Sequence, residues 1–409
     1  MKLYPSKNNK KQINKLMCTL LKYENVRERT NQFSLRVFTL SLVSIVYTMM
    51  LLSNLSILDS KNIIYAQSSD NIDISNNDNA SGSINNQTTT PTYEFITKWG
   101  SLGEEPGQFD GQNDVIGSSD SVYVADYYNQ RIQQLSPDGE FIRMWGGTYG
   151  DADGEFAQPH GVALDSEGNV YVSERSGLRI QKFDSEGNFI TKWGIEGTGD
   201  GQFQHLHDIA VGPGGPNSQV SSPNDEFVYV TDHELFNVQK FTTDGQFVTK
   251  WGSEGTGEGQ FDGLESVDVD SEGNVYVADV GNHRIQKFNP DGQFLLSWGS
   301  FGSEPGQFDS PAGVAVDNND NIFITDVDNH RVQVFTNNGE FITQIGWPEE
   351  ASSELITPAG SSVGACCTEG DGDGQFNAPE GIDVDPENRV LVADTGNNRI
   401  QVFSETGGL

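Results

Sequence analysis

The sequence predicts an all-β fold, a closed ring of six four-stranded sheets, and three observations carry that prediction. "GQF" or "GEF" recurs at 107–109, 154–156, 201–203, 259–261, 306–308 and 374–376, at spacings of 47, 47, 58, 47 and 68 residues. A period of this length marks a repeat architecture, in which each unit hides its apolar faces against its neighbours. Each occurrence leads into four alternating runs, as in "GVALD" (161–165), "VYVSE" (170–174), "RIQKF" (179–183) and "FITKWG" (189–194), separated by turns such as "SEGN". Alternating β-branched and aromatic residues broken by Asp-Gly and Glu-Gly turns spell antiparallel strands joined by tight hairpins. Fourth strands occur at 141–146, 189–194, 247–252, 294–299 and 341–346, but the last unit ends in "RIQVFSETGGL" (399–409) without one, and an orphan "FITKWG" stands at 95–100. The orphan is expected to complete the last sheet and close the ring. Sheets that are apolar on both faces must stack, and radial closure as a six-bladed β-propeller leaves only short protected edges.

Before the ring the chain changes character. Residues 1–66 hold 10 Lys+Arg against 3 Asp+Glu and residues 67–409 hold 14 against 56, so the formal charge of −35 divides into +7 and −42. The basic residues Lys2, Lys7, Lys10, Lys11, Lys15, Lys22, Arg27, Arg29 and Arg36 precede "VFTLSLVSIVYTMMLLSNLSIL" at 37–58, a stretch long enough to cross a bilayer. This asymmetry keeps the N-terminus inside and sends the rest outward. Residues 1–66 are therefore expected to be a signal peptide or signal anchor, with Ala66 at a small-residue cleavage position. Residues 67–92 read as a disordered spacer with glycosylation sequons at Asn79 and Asn86, and 93–409 as the propeller. The expected location is secreted or anchored on the outer side of the cytoplasmic membrane.

Charge narrows the partners. The acidic coat of 67–409 repels phosphate backbones, which excludes nucleic acid and leaves the membrane to the N-terminal segment alone. Cys18 precedes the apolar segment, and the adjacent Cys366 and Cys367 leave a vicinal disulfide, a reactive loop pair or chance open.

"PHGVALDSEGNVYVSERSGLRIQKF" (159–183), "VDVDSEGNVYVADVGNHRIQKF" (267–288) and "PEGIDVDPENRVLVADTGNNRIQVF" (379–403) resemble NHL repeats, and the resemblance extends over 94–403. Within each repeat the acid and base of "VAD…NxR" should pair across the second hairpin: Asp126/Arg131, Glu174/Arg179, Asp279/Arg284, Asp326/Arg331 and Asp394/Arg399, with Asp232 facing Asn237 in blade three. Trp99, Trp145, Trp193, Trp251 and Trp298 share one position of the fourth strand and should pack between blades. His283 and His330 lie in a repeated turn and are expected to face solvent.

Function is sought where the repeat departs from itself. Four residues after each GQF or GEF phenylalanine stand Asn113, His160, His207, Glu265, Ala312 and Glu380, which should form a ring at one mouth of the channel. Taken alternately, His160, Glu265 and Glu380 would set one nitrogen and two carboxylates about a pseudo-threefold axis, with His207 and Asn113 between them. Such ligands suit zinc, manganese or iron, and the Glu pair alone would attract calcium. Tyr127, Tyr128, Arg175 and His233 follow second strands and share that mouth. The insertion at 347–371 emerges on the same face and could form a lid, while the shorter one near 213–225 lies opposite.

"PHGVALD" (159–165), "HLHDIAV" (205–211) and "VYVADYYNQRIQQLSPDGEFIRMWG" (122–146) are also similar to segments of the peptidyl-hydroxyglycine amidating lyases. That resemblance implies zinc ligation by His160 and His207, a catalytic Tyr128, a functional Arg175 and a calcium-binding Asp208. The zinc histidines of that family come from alternate blades, whereas His160 and His207 sit in adjacent ones. Two functions of different kinds follow. One is an exported propeller that binds a protein, peptide or glycan at its channel mouth. The other is a metal-dependent lyase or hydrolase in which Arg175 holds an anionic group and Tyr128 acts as base.

Overall fold

Alternating side chains settle into sheets when both faces find neighbours, and here each repeat supplies the next one's cover. The computed structural model describes residues 90–215, 225–346 and 369–406. Among these, six four-stranded antiparallel sheets follow one another around a ring. Blade two shows the plan, with strands Pro159–Leu164, Val170–Glu174, Arg179–Phe183 and Phe189–Trp193 from channel to rim. The channel-lining first strands of the other blades are Gln112–Gly117, Leu206–Pro213, Leu264–Val269, Pro311–Val316 and Ile382–Val384. Second strands such as Val170–Glu174 and Val275–Asp279 are buried along their whole length. The core accordingly lies between blades: Tyr123, Ala125 and Ile132 of blade one pack on Phe156, Val162, Val172 and Phe183 of blade two.

The recurring motif is a clamp. Each motif phenylalanine (Phe109, Phe156, Phe203, Phe261, Phe308, Phe376) is at most 1% exposed. A third-strand glutamine holds the turn before it from both sides. In blade five the Gly306 amide donates to Gln333 Oε1 at 2.9 Å, while Gln333 Nε2 donates to the Gln307 carbonyl at 2.7 Å. Gln133, Gln181, Gln239, Gln286 and Gln401 do the same in their blades. The five expected acid–base pairs all form, at 2.7, 2.5, 2.7, 2.8 and 2.6 Å in chain order. Their arginines also reach carbonyls of the motif turn, as Arg331 does at Glu304 and Gln307. In blade three, Asp232 instead accepts the amides of Gln204, His205 and Leu235.

The fourth-strand tryptophans join blades in sequence. Trp99 lies over Gly139 of blade one, where a Cβ would stand 2.0 Å from the indole, and Trp145, Trp193, Trp251 and Trp298 cover Gly187, Gly245, Gly292 and Gly339 in the same way. Gly139 also has φ +84°, so the turn requires glycine on both counts.

The ring closes as the repeat count demands. Thr92–Trp99 pairs antiparallel with Arg399–Thr406, from Thr92 opposite Thr406 to Trp99 opposite Ile400. The strand thus starts at Thr92, the last residue assigned to the spacer. Thr92 and Thr406 tie the far end through their hydroxyls, 2.6 Å apart.

His283 and His330 differ from expectation. Both are half-buried at left-handed positions (φ 51° and 49°), and their Nδ1 atoms accept the amides of Ser310 and Ala378 in the following blade. Their turn packs against a neighbour, so a side chain there is shielded. No helix among the described residues is long and apolar enough to cross a membrane. The apolar segment 37–58, the spacer through residue 89, Cys18, Cys366, Cys367 and most of both insertions lie outside the described residues.

Candidate functional site at the channel mouth

The ring positions owe their inward aim to a bulge. In blades one to five the first strand slips register against the second, between Gln112 and Asp114, Pro159 and Val162, Leu206 and Ile209, Leu264 and Val267, and Pro311 and Val314. A bulge frees a residue from the ladder and re-aims its side chain. Asn113, His160, His207, Glu265 and Ala312 occupy these slips, and with Glu380 all six line a cavity of about 520 Å³. Tyr127, Tyr128 and Arg175 line it too, because each second strand ends beside the start of the first: the Tyr127, Arg175 and His233 amides donate to the carbonyls of Gly111, Gln158 and His205.

Three second-strand hydroxyls fix the ring from the preceding blade. Ser173 accepts the Gly161 amide and donates to the His207 carbonyl, at 2.9 and 2.7 Å. Thr231 accepts the Asp208 amide and donates to the Glu265 carbonyl, at 2.9 and 3.0 Å. Thr325 accepts the Gly313 amide and donates to the Glu380 carbonyl, both at 2.6 Å. Gly313 permits this approach, since a Cβ there would lie 2.3 Å from the Glu380 oxygen. Sequence reading passed over these hydroxyls, which replace the alanine of blades one, four and six at 125, 278 and 393.

Four histidines gather on one side. The His160 and His207 rings are 4.5 Å apart, His205 and His207 4.9 Å, and His207 stacks on His233 at 4.9 Å and 25°. His205, a residue the sequence reading did not single out, contacts the Arg175 guanidinium through Nε2. His207 Nδ1 lies 2.7 Å from Glu265 Oε2 and His233 Nδ1 3.5 Å from Glu265 Oε1. Among the described residues, His207, His233 and Glu265 are the one group of three that brings ligand atoms within 4.8 Å of one another. The alternate set His160, Glu265 and Glu380 is not brought together in that way. The ring spaces alternate blades apart, while adjacent side chains lean together across one seam. Asp208 lines the same cavity but is not one of that group, its carboxylate accepting from Ser266 Oγ at 2.6 Å and the Val267 amide at 3.1 Å.

The electrostatics follow from burial in this crowd. Burial, then His207 and Arg175, hold His160 well below the ordinary imidazole range, and the same neighbours bring His205 down to about 3. Burial raises the Glu265 carboxyl, but His207, His233 and Arg175 outweigh it and hold Glu265 below the usual range. Glu380 has only Arg175 to draw it down, and burial with the Glu265 charge outweighs this and pushes it up to about 7. Tyr127 is raised by burial and sets its ring edge-on to His160 and Tyr128. Deeper in the channel a cavity of about 50 Å³ meets Asp114, Asp208, Asp268 and Asp383. Burial raises all four, Asp268 to about 8 and Asp383 to about 7.

Comparison with known proteins agrees with this architecture. The family described as NHL repeat matches residues 156–183, 261–288, 308–335 and 376–403, the motifs of blades two, four, five and six. The E3 ubiquitin-protein ligase TRIM71 of Rattus norvegicus is 52% identical over 40 residues, which are 10% of this chain and 5% of that protein. The chain therefore spans only a small part of that relative's length. A solved protein of unknown function from Bacteroides thetaiotaomicron superposes with a TM-score of 0.53 at 17% identity, covering 77% of this chain and 76% of that one. An auxiliary nutrient binding protein from the same organism gives a TM-score of 0.50 at 14% identity, covering 73% and 70%. Such low identities speak for the fold alone. With the repeat matched in four blades and six sheets closed into a ring, the chain is a six-bladed β-propeller that carries NHL repeats in blades two, four, five and six.

Proposed function

We propose that this propeller is an exported binding protein that takes the carboxylate-bearing end of a peptide, protein or glycan into its channel mouth. The observation that carries the reading is the cavity of about 520 Å³ into which the residues that break the repeat converge. Arg175 supports the choice of ligand. Among the described residues it forms no ion pair, in a region where acidic side chains outnumber basic ones 56 to 14. A cavity guanidinium that contacts His205 but has no carboxylate in ion-pair contact suits the planar, bidentate recognition of a ligand carboxylate. Tyr128, 64% exposed, offers a ring on which the ligand packs, with Tyr127 and Asn113 beside it.

The test compares peptides ending in a free carboxylate with the same peptides amidated. Free ends are expected to bind more tightly, and Arg175→Ala should weaken them by about 10–100-fold, the worth of a hydrogen bond to a charged group. Equal binding of both peptide forms would reject the reading. A second reading, a metal-dependent lyase or hydrolase with Tyr128 as base, is favoured by the proximity of His207, His233 and Glu265. Turnover of hydroxyglycine-extended peptides that is lost in Tyr128→Phe would establish it. Export rests on the basic residues before the apolar 37–58. Fractionation of native cells should find the protein outside the cytoplasmic membrane or anchored on its outer side, and recovery as a cytoplasmic protein would refute export.

A further inference from the structure

We infer that His207, His233 and Glu265 form a binding site for a zinc-class divalent ion on the seam between blades three and four, with one coordination position open to the channel mouth. This goes beyond the peptide-binding reading and does not depend on it. The ligand atoms of the three side chains lie within 4.8 Å of one another. Around a tetrahedral ion with bonds of about 2.0–2.2 Å, ligand atoms sit roughly 3.4 Å apart, so small side-chain adjustments complete the shell.

His207 supplies the second observation. Its exposure is 4%, it lines the cavity, and neither ring nitrogen makes a hydrogen bond. The 2.7 Å approach of Nδ1 to Glu265 is close but lacks the alignment of an N–H donating to oxygen. A buried polar group left without a partner costs on the order of 1–3 kcal/mol. A cation between the nitrogen and the carboxylate satisfies both at once.

The frame is already rigid. Ser173 holds the His207 carbonyl, Thr231 holds the Glu265 carbonyl, and the His233 ring is seated with Nδ1 3.5 Å from Glu265 Oε1 and 3.2 Å from the Leu264 carbonyl. The donor set also selects the ion. Calcium takes six to eight oxygens, whereas two imidazoles and one carboxylate suit zinc and leave room for a fourth ligand. His207 and Glu265 both face the cavity that Arg175 lines, so the fourth position is available to an oxygen of whatever the guanidinium holds.

The experiment is a zinc titration of the full chain, previously stripped with a chelator, followed by calorimetry and repeated with cobalt(II) for its visible absorption. Stoichiometric uptake with a four-coordinate cobalt spectrum is expected. His233→Ala and Glu265→Gln should each weaken zinc binding by about 100-fold or more, while His283→Ala and the Cys366→Ser, Cys367→Ser double variant bind like wild type. His207→Ala is expected to behave like His233→Ala; should its burial make it unfold, the two more exposed ligands decide. Absence of stoichiometric zinc, displacement by excess calcium, or unweakened binding in folded His233→Ala and Glu265→Gln would overturn the site. Zinc binding is read without peptide and the Arg175 peptide test without metal, so the failure of one leaves the other standing.

Discussion

A chain lacking residues 92–99 should melt far below the full chain and aggregate. These residues are the outer strand of blade six, and their loss bares the edge of Arg399–Thr406 from Thr406 to Ile400. Unpaired backbone groups on such an edge invite pairing with other chains. The strand also carries half-buried aromatic residues: Tyr93 and Phe95 pack on the core between blades five and six, and Trp99 on the core between blades six and one. Full truncation of a buried Phe or Trp costs about 3–5 kcal/mol. Even at half that value, two such losses take a large share of a total stability of about 5–15 kcal/mol. Equal melting temperatures, with no rise in light scattering, would show that closure contributes nothing.

Asp326→Ala should cost about 3–5 kcal/mol, because it strands a buried guanidinium. Asp326 is fully buried and accepts from Arg331 Nε at 2.8 Å, the Asp309 amide at 2.7 Å, Asn329 Nδ2 at 2.9 Å and Gln333 Nε2 at 3.0 Å. Arg331 is itself 2% exposed. Removing the base instead, as Arg331→Met, keeps the carboxylate among its remaining donors and should cost less. Blade three already lives with that arrangement, its Asp232 satisfied by backbone amides beside Asn237. Denaturant unfolding of both variants reads the order. A larger loss for Arg331→Met would contradict the assignment of the acid as the hub.

The fold was legible because repetition multiplies a weak signal. One alternating run is ambiguous, but six copies of the Gly-x-Phe motif, each with a Gln in its third strand, correspond to one clamp made six times. The orphan at 95–100 could be placed by counting alone. The mouth was legible as far as backbone position decides it, since Asn113, His160, His207, Glu265 and Glu380 do line one cavity. Which of them touch was not. Alternation around a ring suggested partners two blades apart, whereas side-chain lean brings His207 to Glu265 across a single seam and adds His233 from a neighbouring strand. The hydroxyls of Ser173, Thr231 and Thr325 escaped notice because Ala, Ser and Thr are interchangeable to a strand pattern. Only the packed geometry shows that three of the six reach a neighbour.

Those hydroxyls bear on how such a protein can be rebuilt or can diverge. Glu265 belongs to blade four by sequence, but the group that holds its carbonyl, Thr231, belongs to blade three. The same offset separates His207 from Ser173 and Glu380 from Thr325. Exchanging a whole blade therefore carries a mouth residue away from its support. The transferable module runs from the second strand of one blade to the first strand of the next, and duplication or grafting at that boundary would move residue and support together.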